Sequence, residues 1–321
     1  MGLMADYYLD FENPLKEIDQ KIIELESDTS SADHSSQINS LKSEKELTQK
    51  SIFSGLSRWQ RVQLARHPQR PFSLDYIKNI SSDFIELHGD RYFGDDNAVV
   101  AGIGSIDDIK VVFIGQQKGR NTKDNLFRNF GMMRPEGYRK ALRIMKLAQK
   151  FNLPIITLID TPGAYPGLGA EERGQGEAIA RNLLEMSKLT VPIISVVIGE
   201  GASGGALGIG ICDRMLMFEN TWYSVISPEG CASILWRDAS KASDAADAMK
   251  VTPEDLLEMK ICDQIIEEPL GGAHRNFEEA ASILKNALIK ELGALKKTNP
   301  TSFLDNRIER YEKIGVYNES K

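Results

Sequence analysis

Leu15, Ile18, Ile22 and Leu25 recur at three- and four-residue steps and predict a helix from about Pro14 with one apolar stripe. The polar, Ser-rich run 27–37 reads as a loop, and a weaker helical pattern resumes from Ile38 to about Ile52. Together they predict a helical hairpin. Its stripe is too narrow to make a core, so it must pack on the rest of the chain or on a partner. From residue 98 the pattern changes. Short β-type runs at 98–106 and 110–117 flank an Asp-Asp turn. A helix follows at 135–151, opened by Pro135, with Tyr138, Leu142 and Met145 on its core side. Continuous apolar runs at 153–160 and 191–200 predict buried strands, with a helix at 174–189 between them. Residues 203–211 read as a small-residue helix, 214–226 as strands, and 228–236 as the start of another helix. From about 252 the chain reads as helical to its end, with a break at 270–275. Apolar strands alternating with helices predict an α/β core with a largely parallel sheet. No internal repeat is visible. The pattern divides the chain into a hairpin and linker (1–70), a main domain (71–298) and a helical tail (299–321).

Composition narrows the function classes. The 321 residues are 41% hydrophobic and 26% charged, with a formal net charge of -7. That is ordinary for a globular chain and wrong for a general nucleic-acid binder. No run approaches the roughly 20 apolar residues of a membrane span. The amino terminus is acidic and lacks a signal pattern. Gly2 is followed by Leu3, Met4, Ala5 and Asp6, without the Ser/Thr of a myristoylation motif. A cytoplasmic location is therefore expected. Cys212, Cys231 and Cys262 are widely spaced, with no CxxC. They predict buried thiols rather than disulfides or a zinc site.

Three segments could carry chemistry. The first, 198–213, follows a buried strand, opens a helix and holds six glycines. Each glycine weakens a helix by roughly 1 kcal/mol relative to Ala, which suggests that backbone must approach something closely. With Ser203 as cap, the amides of Gly204, Gly205 and Ala206 lack helical partners and sit at the positive end of the helix dipole. Such amides can bind a phosphate or an oxyanion. No GKS or GKT follows, and the glycines do not fall as GxGxxG, so an oxyanion suits them better. Tight helix packing through small residues explains the same glycines equally well. The second segment, 160–177, turns through Pro162, Gly163, Pro166, Gly167 and Gly169 after a buried strand, where parallel sheets hold ligands. The third, 115–131, carries Lys118, Arg120, Lys123 and Arg128 and fits an anion site or a solvated loop. Arg58, Arg61, Arg66 and Arg70, with Trp59 among them, read first as a solvated basic face and second as a landing site for a CoA phosphate or an acidic partner. His34, His67, His88 and His274 lie far from Ser203 in sequence, and no nucleophile elbow or metal motif appears. The chain thus offers oxyanion stabilisation without an obvious acid or base.

Longer motifs add a resemblance. FIELHGDRYFGDD (84–96), GMMRPEGYRKAL (131–142), DTPGAYPG (160–167), EERGQGEAIARNL (171–183), SGGAL (203–207), YSVISPEGCASILW (223–236) and EPLGGAHR (268–275) resemble the carboxyltransferase α subunit of bacterial-type multi-subunit acetyl-CoA carboxylase. The match runs from about 70 to 295, and the amino-terminal hairpin is consistent with it.

The resemblance implies a crotonase-type fold and an α2β2 heterotetramer with its active site between α and β. It implies transfer of a carboxyl group from carboxybiotin, held on a separate biotin carboxyl carrier protein, to acetyl-CoA. The malonyl-CoA formed would feed fatty acid biosynthesis. Biotin carboxylase, with its ATP site, would belong to the larger complex, and zinc only to the β subunit. The family's biotin-side oxyanion hole carries over to Gly204 and Gly205, with Ala206 as the neighbouring amide. Gly163, Ala164, Tyr165, Pro166 and Ser203 would line the biotin pocket. Two positions depart from the family pattern: Ala202, where Gly is expected, and Cys212, where a smaller residue is expected. On this reading Gly205→Val should abolish transfer and leave assembly intact. Two rivals remain. One is a self-sufficient crotonase-fold enzyme using Glu200 or Glu229 as acid or base. The other is an RNA-binding protein using the arginines of 58–70.

Overall fold

The computed structural model describes residues 7–28, 33–299 and 302–315. The expectations placed on Gly2 to Asp6, and part of the Ser-rich run, lie outside these residues. In chain order the first helices are α1 (Asn13–Ser27), α2 (Ser35–Ser54), α3 (Arg58–Ala65) and α4 (Ser73–Ile80). Strands β1 (Ile85–Glu86), β2 (Val99–Ile106) and β3 (Ile109–Gln116) follow, then α5 (Thr122–Phe127), α6 (Pro135–Lys150) and β4 (Ile155–Thr161). The centre of the chain gives α7 (Leu168–Glu172), α8 (Gln175–Ser187), β5 (Ile193–Ala202), α9 (Ser203–Leu207), β6 (Arg214–Phe218) and β7 (Trp222–Ser224). The last third gives α10 (Pro228–Trp236), α11 (Ala242–Met249), α12 (Pro253–Glu258), β8 (Gln264–Ile266), α13 (Phe277–Leu295) and α14 (Phe303–Glu312).

Among the described residues the strands form one sheet in the order β1-β2-β3-β4-β5-β6-β8, with β7 beside β5. β1, β2 and β3 pair antiparallel, and every other pairing is parallel. The alternation of side chains along the central strands explains their unbroken apolar runs. Val112 and Ile114, Ile155 and Ile159, and Ile193 and Val197 face a core with Tyr138, Ala141 and Met145 of α6 and Ala178 and Met186 of α8. Val111 and Phe113, Ile156 and Leu158, and Ile194, Val196 and Ile198 face a second core with Tyr76 and Ile77 of α4 and Leu284 and Leu288 of α13. A sheet covered on both faces needs apolar residues at every position.

Three elements differ from the sequence reading. The run from 252 is not helical throughout, because β8 adds to the edge of β6. At three residues it is too short to interrupt a helical period. Helix α9 stops at Leu207, and Gly208 and Gly210 take turns instead. The stretch 214–226 is split: β5 pairs with β6 through Ile194–Val197 and with β7 through Glu200–Ala202.

The amino-terminal hairpin docks on the body. Leu15, Ile18 and Ile22 are buried. Glu12 accepts from Arg275 at 3.0 Å, and Gln49 Nε2 donates to the Leu270 carbonyl at 3.1 Å. At this junction the His67 and His274 rings stack 3.8 Å apart. Burial pushes His67 down to about 4 and His274 to about 2, with Arg70 and Arg275 opposing any further positive charge. Both folded values lie below the unfolded value of 6.5, so the unfolded chain binds more protons below that pH. Stability contributed by the neutral pair is complete above 6.5 and falls as pH drops towards 4. Melting temperature is expected to decline over that window, and His67→Gln should flatten the decline. An equally steep slope in His67→Gln would refute this origin. At the other terminus, buried Arg307 fixes α14 by hydrogen bonds to Asp213 and the carbonyls of Met186, Leu189 and Val191. No helix among the described residues is long and apolar enough to cross a membrane.

Candidate functional site

The carboxyl ends of β3, β4 and β5 open on the same edge of the sheet, and the two Gly-rich segments leave from β4 and β5 there. They meet. A Cβ placed on Gly205 would lie 2.3 Å from the Gly163 carbonyl carbon and 2.6 Å from the Ala164 amide nitrogen. Only glycine permits that approach, which accounts for this position in a segment otherwise poor for helix. Gly204 differs: a Cβ there would meet Ile179 at an ordinary 3.5 Å.

Ser203 is not the cap that the sequence suggested. Ala202, in extended conformation, holds the cap position and makes no side-chain cap bond. Ser203 is the first helical residue, with φ of 58°. A left-handed conformation is uncommon for a residue with a Cβ and is found where structure around it over-determines the backbone. It turns the chain sharply from strand to helix, so that the first amides of α9 emerge at the strand ends without helical partners. Ser203 is exposed, Gly204 half-buried, and Gly205 and Ala206 buried. The departure at Ala202 has a structural explanation: its methyl packs with Val62, Ala65, Trp222 and Val251. Cys212 is likewise buried, beneath Tyr311 of α14, whose hydroxyl lies 2.9 Å from the Cys212 amide. Burial raises the Cys212 thiol and pushes Cys262 up to about 12, so both behave as small apolar groups.

The loop after β4 wraps the same amides. Gly163 is buried, Ala164 and Tyr165 are half-buried, and Pro166 is exposed. The Tyr165 amide donates to the Met133 carbonyl at 3.1 Å, and Gln175 Nε2 donates to the carbonyls of both Met133 and Tyr165. The Arg134 guanidinium stacks 4.6 Å from the centre of the Tyr165 ring. Pro162, Pro166 and Ser203 are exposed, so the two Gly-rich segments reach the surface beside the start of α9.

The basic clusters turn out differently from either sequence reading. Arg58 forks onto Asp255, and Arg61 pairs with Glu254. Arg66 joins Glu200 at 2.7 Å and Glu229 at 2.5 Å, while Arg70 is buried against Glu268. Each of these arginines is paired with a carboxylate of the chain itself. That also removes the basis of the RNA-binding rival. In 115–131, half-buried Lys118 pairs with both Asp160 and Glu200, Arg120 reaches Asp75, and Arg128 donates to the Asn97 carbonyl. Such partners carry no sequence signal: Glu200 lies 82 positions from Lys118, and Glu268 lies 198 from Arg70.

The same pairing weakens Glu200 and Glu229 as acid or base. Burial alone would raise both carboxyls, but Lys118 and Arg66 hold Glu200, and Arg66 holds Glu229, below the usual carboxylate range. One cluster outside the site, Glu12, His67 and His274, brings metal-type ligand atoms within 4.8 Å of one another. Two of its groups are otherwise engaged: Arg275 holds Glu12, and His67 accepts from the Gln69 amide through Nδ1 while Nε2 faces the Tyr7 carbonyl; neither ring nitrogen of His274 has a hydrogen-bond partner among the described residues.

A family described as acetyl co-enzyme A carboxylase carboxyltransferase-like matches residues 8–315. The acetyl-coenzyme A carboxylase carboxyl transferase subunit alpha of Chlorobium phaeobacteroides (strain BS1) is 55% identical over 329 residues, covering 98% of each chain. The protein of that name from Flavobacterium psychrophilum is 54% identical, covering 97% of this chain and 99% of the relative. Among solved structures, a Pseudomonas malonate decarboxylase hetero-tetramer in complex with coenzyme A aligns with a TM-score of 0.59 at 14% identity, over 74% of this chain and 94% of that one. Transcarboxylase 12S aligns with a TM-score of 0.55 at 20% identity, over 72% of this chain and 43% of the other. These likenesses show the α/β crotonase-type fold.

Proposed function

The chain belongs to the acetyl-CoA carboxylase carboxyltransferase α-subunit family, and from that premise we propose that it forms the biotin-side half of a shared carboxyltransferase site. The reaction is transfer of a carboxyl group from carboxybiotin on a biotin carboxyl carrier protein to acetyl-CoA, giving malonyl-CoA. The observation that carries this reading is the ledge of amides at the start of α9, closed from behind by the Gly163 backbone against Gly205. Amide donors suit a neutral urea oxygen that gains negative charge, and the absence of a Cβ at Gly205 lets the Gly163 backbone close against α9. Gly204 and Gly205 are the oxyanion donors, with Ala206 as the neighbouring amide. Gly163, Ala164, Tyr165, Pro166 and Ser203 line the approach. When bound, carboxybiotin supplies the carboxyl group and, after its loss, a basic ring nitrogen for the acetyl-CoA methyl proton. That chemistry asks the protein for fixed amides rather than an acid or base, and Glu200 and Glu229 are engaged by Arg66 and Lys118.

The partner belongs to the same proposal. In α10, Pro228 and Ala232 are buried, while Ile234, Leu235 and Trp236 are 72%, 63% and 40% exposed, with Val225 before the helix at 79%. Exposed apolar side chains gathered at the end of α10 and just before it fit a β subunit that holds acetyl-CoA and carries any zinc, within an α2β2 assembly served by biotin carboxylase in the cytoplasm. The test runs the reaction backwards, from malonyl-CoA and biocytin to acetyl-CoA and carboxybiocytin. Turnover is expected only when this chain and its β subunit are mixed, and Ile234→Asp with Trp236→Ser should weaken their association. Turnover by this chain alone would overturn the shared site.

A further inference from the structure

Helix α9 has five residues and begins with a left-handed serine. Helices this short are not stable by themselves, because nucleation is unfavourable and too few bonds follow it. The positions of the Gly204 and Gly205 amides must therefore be imposed from outside the helix. Two buried side-chain amides contact it. Gln116, the last residue of β3, is fully buried; its Nε2 donates to the Gly205 carbonyl at 2.7 Å and its Oε1 accepts from the Asp160 amide at 3.1 Å. One partner demands a donor and the other an acceptor, so the orientation of this side chain is fixed by its neighbours. Asn182 of α8 is also buried. Its Nδ2 donates to the Gly208 carbonyl at 2.9 Å and to the Tyr138 carbonyl at 3.1 Å. Gly208 in turn donates to the Gly204 carbonyl at 2.9 Å. The carbonyls on either side of the α9 turn are thus each held by a different element.

We propose that Gln116 and Asn182 are positioning residues for carboxyl transfer, two latches of which Gln116 sets the plane of the peptide carrying the Ala206 N–H and Asn182, through Gly208, that of the peptide carrying the Gly205 N–H, and with them the direction of the oxyanion amides. Gln116 does more than hold. Its bond to the Gly205 carbonyl oxygen polarises the peptide whose N–H belongs to Ala206, and it ties that peptide to Asp160, at the start of the loop that packs Gly163 against Gly205. Misplacement of a reacting group by about 1 Å lowers rates on the order of a hundredfold. A loosened latch should therefore reduce kcat strongly while binding of malonyl-CoA, on the partner's side, is little altered. This inference rests on the carboxyltransferase reading above.

The experiment uses the complex of this chain with its β subunit, in the reverse assay with biocytin and malonyl-CoA. Gln116→Met keeps volume but removes the donor and the acceptor; kcat is expected to fall about tenfold or more, with KM for malonyl-CoA close to wild type. Asn182→Leu should do the same. The double variant should lose little more than the larger single loss in kcat, whereas effects on melting temperature should add. Gln116→Glu gives a second readout. As a neutral acid it reproduces both hydrogen bonds. Once ionised it turns a carboxylate oxygen against the Gly205 carbonyl. Its kcat should fall with rising pH where the wild type does not, and since Lys118, Asp160 and Glu200 are common to both proteins, the difference reports position 116. An unchanged kcat in Gln116→Met, or superimposable pH profiles for Gln116→Glu and wild type, would overturn the inference and leave the function standing. An inactive wild-type complex would instead overturn the underlying reading, and this inference with it.

Discussion

Gly205→Ala is expected to reduce carboxyl transfer by two orders of magnitude or more and to lower stability at the same time. The added methyl would lie 2.3 Å from the Gly163 carbonyl carbon and 2.5 Å from its oxygen, both backbone atoms that cannot rotate away. Overpacking of this kind costs about 1–3 kcal/mol. Either α9 or the 163–165 loop must then shift, and a single mis-aimed oxyanion donor costs about 3 kcal/mol in the transition state. This revises what Gly205→Val would report. It cannot leave the surroundings intact, because Gly205 is a packing contact as well as a proposed donor. Gly204→Ala is the control for bulk alone. Its methyl meets Ile179 at 3.5 Å, so its melting temperature should stay near wild type and its activity should fall far less. The reverse assay and thermal melts decide this. Near-normal turnover in Gly205→Ala would place the oxyanion donors elsewhere.

Arg70→Leu carries the largest expected effect on stability. Arg70 is 1% exposed; it donates through Nε to the Ile198 carbonyl at 2.7 Å and forks onto Glu268 at 2.5 Å and 3.1 Å. It thereby joins the α3–α4 connection to the site strand β5 and to the loop after β8. Removing one partner of a buried pair costs about 3–5 kcal/mol, because the other charge is left uncompensated. Burial pushes the Glu268 carboxyl up, and in the native protein Arg70 outweighs that and holds it below its usual value. Without Arg70 only the hydrogen bonds from Ala273 and Asn220 oppose burial, the largest influence, and the folded value is expected to rise above the unfolded one. The sign of the pH dependence then follows. The stability of Arg70→Leu should fall as pH rises from the carboxylate range, since the folded state favours the protonated acid. Arg70→Leu with Glu268→Gln should recover part of the loss. Urea titrations at two pH values test both statements, and a pH-independent deficit would mean that lost packing rather than the stranded carboxylate is responsible.

Much of the fold is legible in the amino-acid sequence alone. The apolar runs at 153–160 and 191–200 could only be strands buried on both faces, and β4 and β5 are that. The helix opened by Pro135 begins where its proline requires. Leu15, Ile18 and Ile22 had to be covered, and they are. The two Gly-rich segments mark the strand ends where a site should lie, because periodicity and backbone freedom are local properties of neighbouring residues.

Pairing is not local, and there the tertiary structure decided. A basic run such as 58–70 looks the same whether solvent or distant acids neutralise it. Asp255, Glu254, Glu229 and Glu268 reach those arginines only after the sheet forms. Ser203 resembles a cap because cap preference is a statistical property of residue type, while its φ of 58° is imposed by the strand before it and the loop against it. β8 needed β6 as a neighbour before three residues could count as a strand. Gln116 carries no signal at the end of its apolar run, since its importance lies in the two atoms it faces. What each segment prefers is set by the spacing and conformational freedom of its own residues. Which charge is neutralised and which amide is aimed depends on contacts made across the fold.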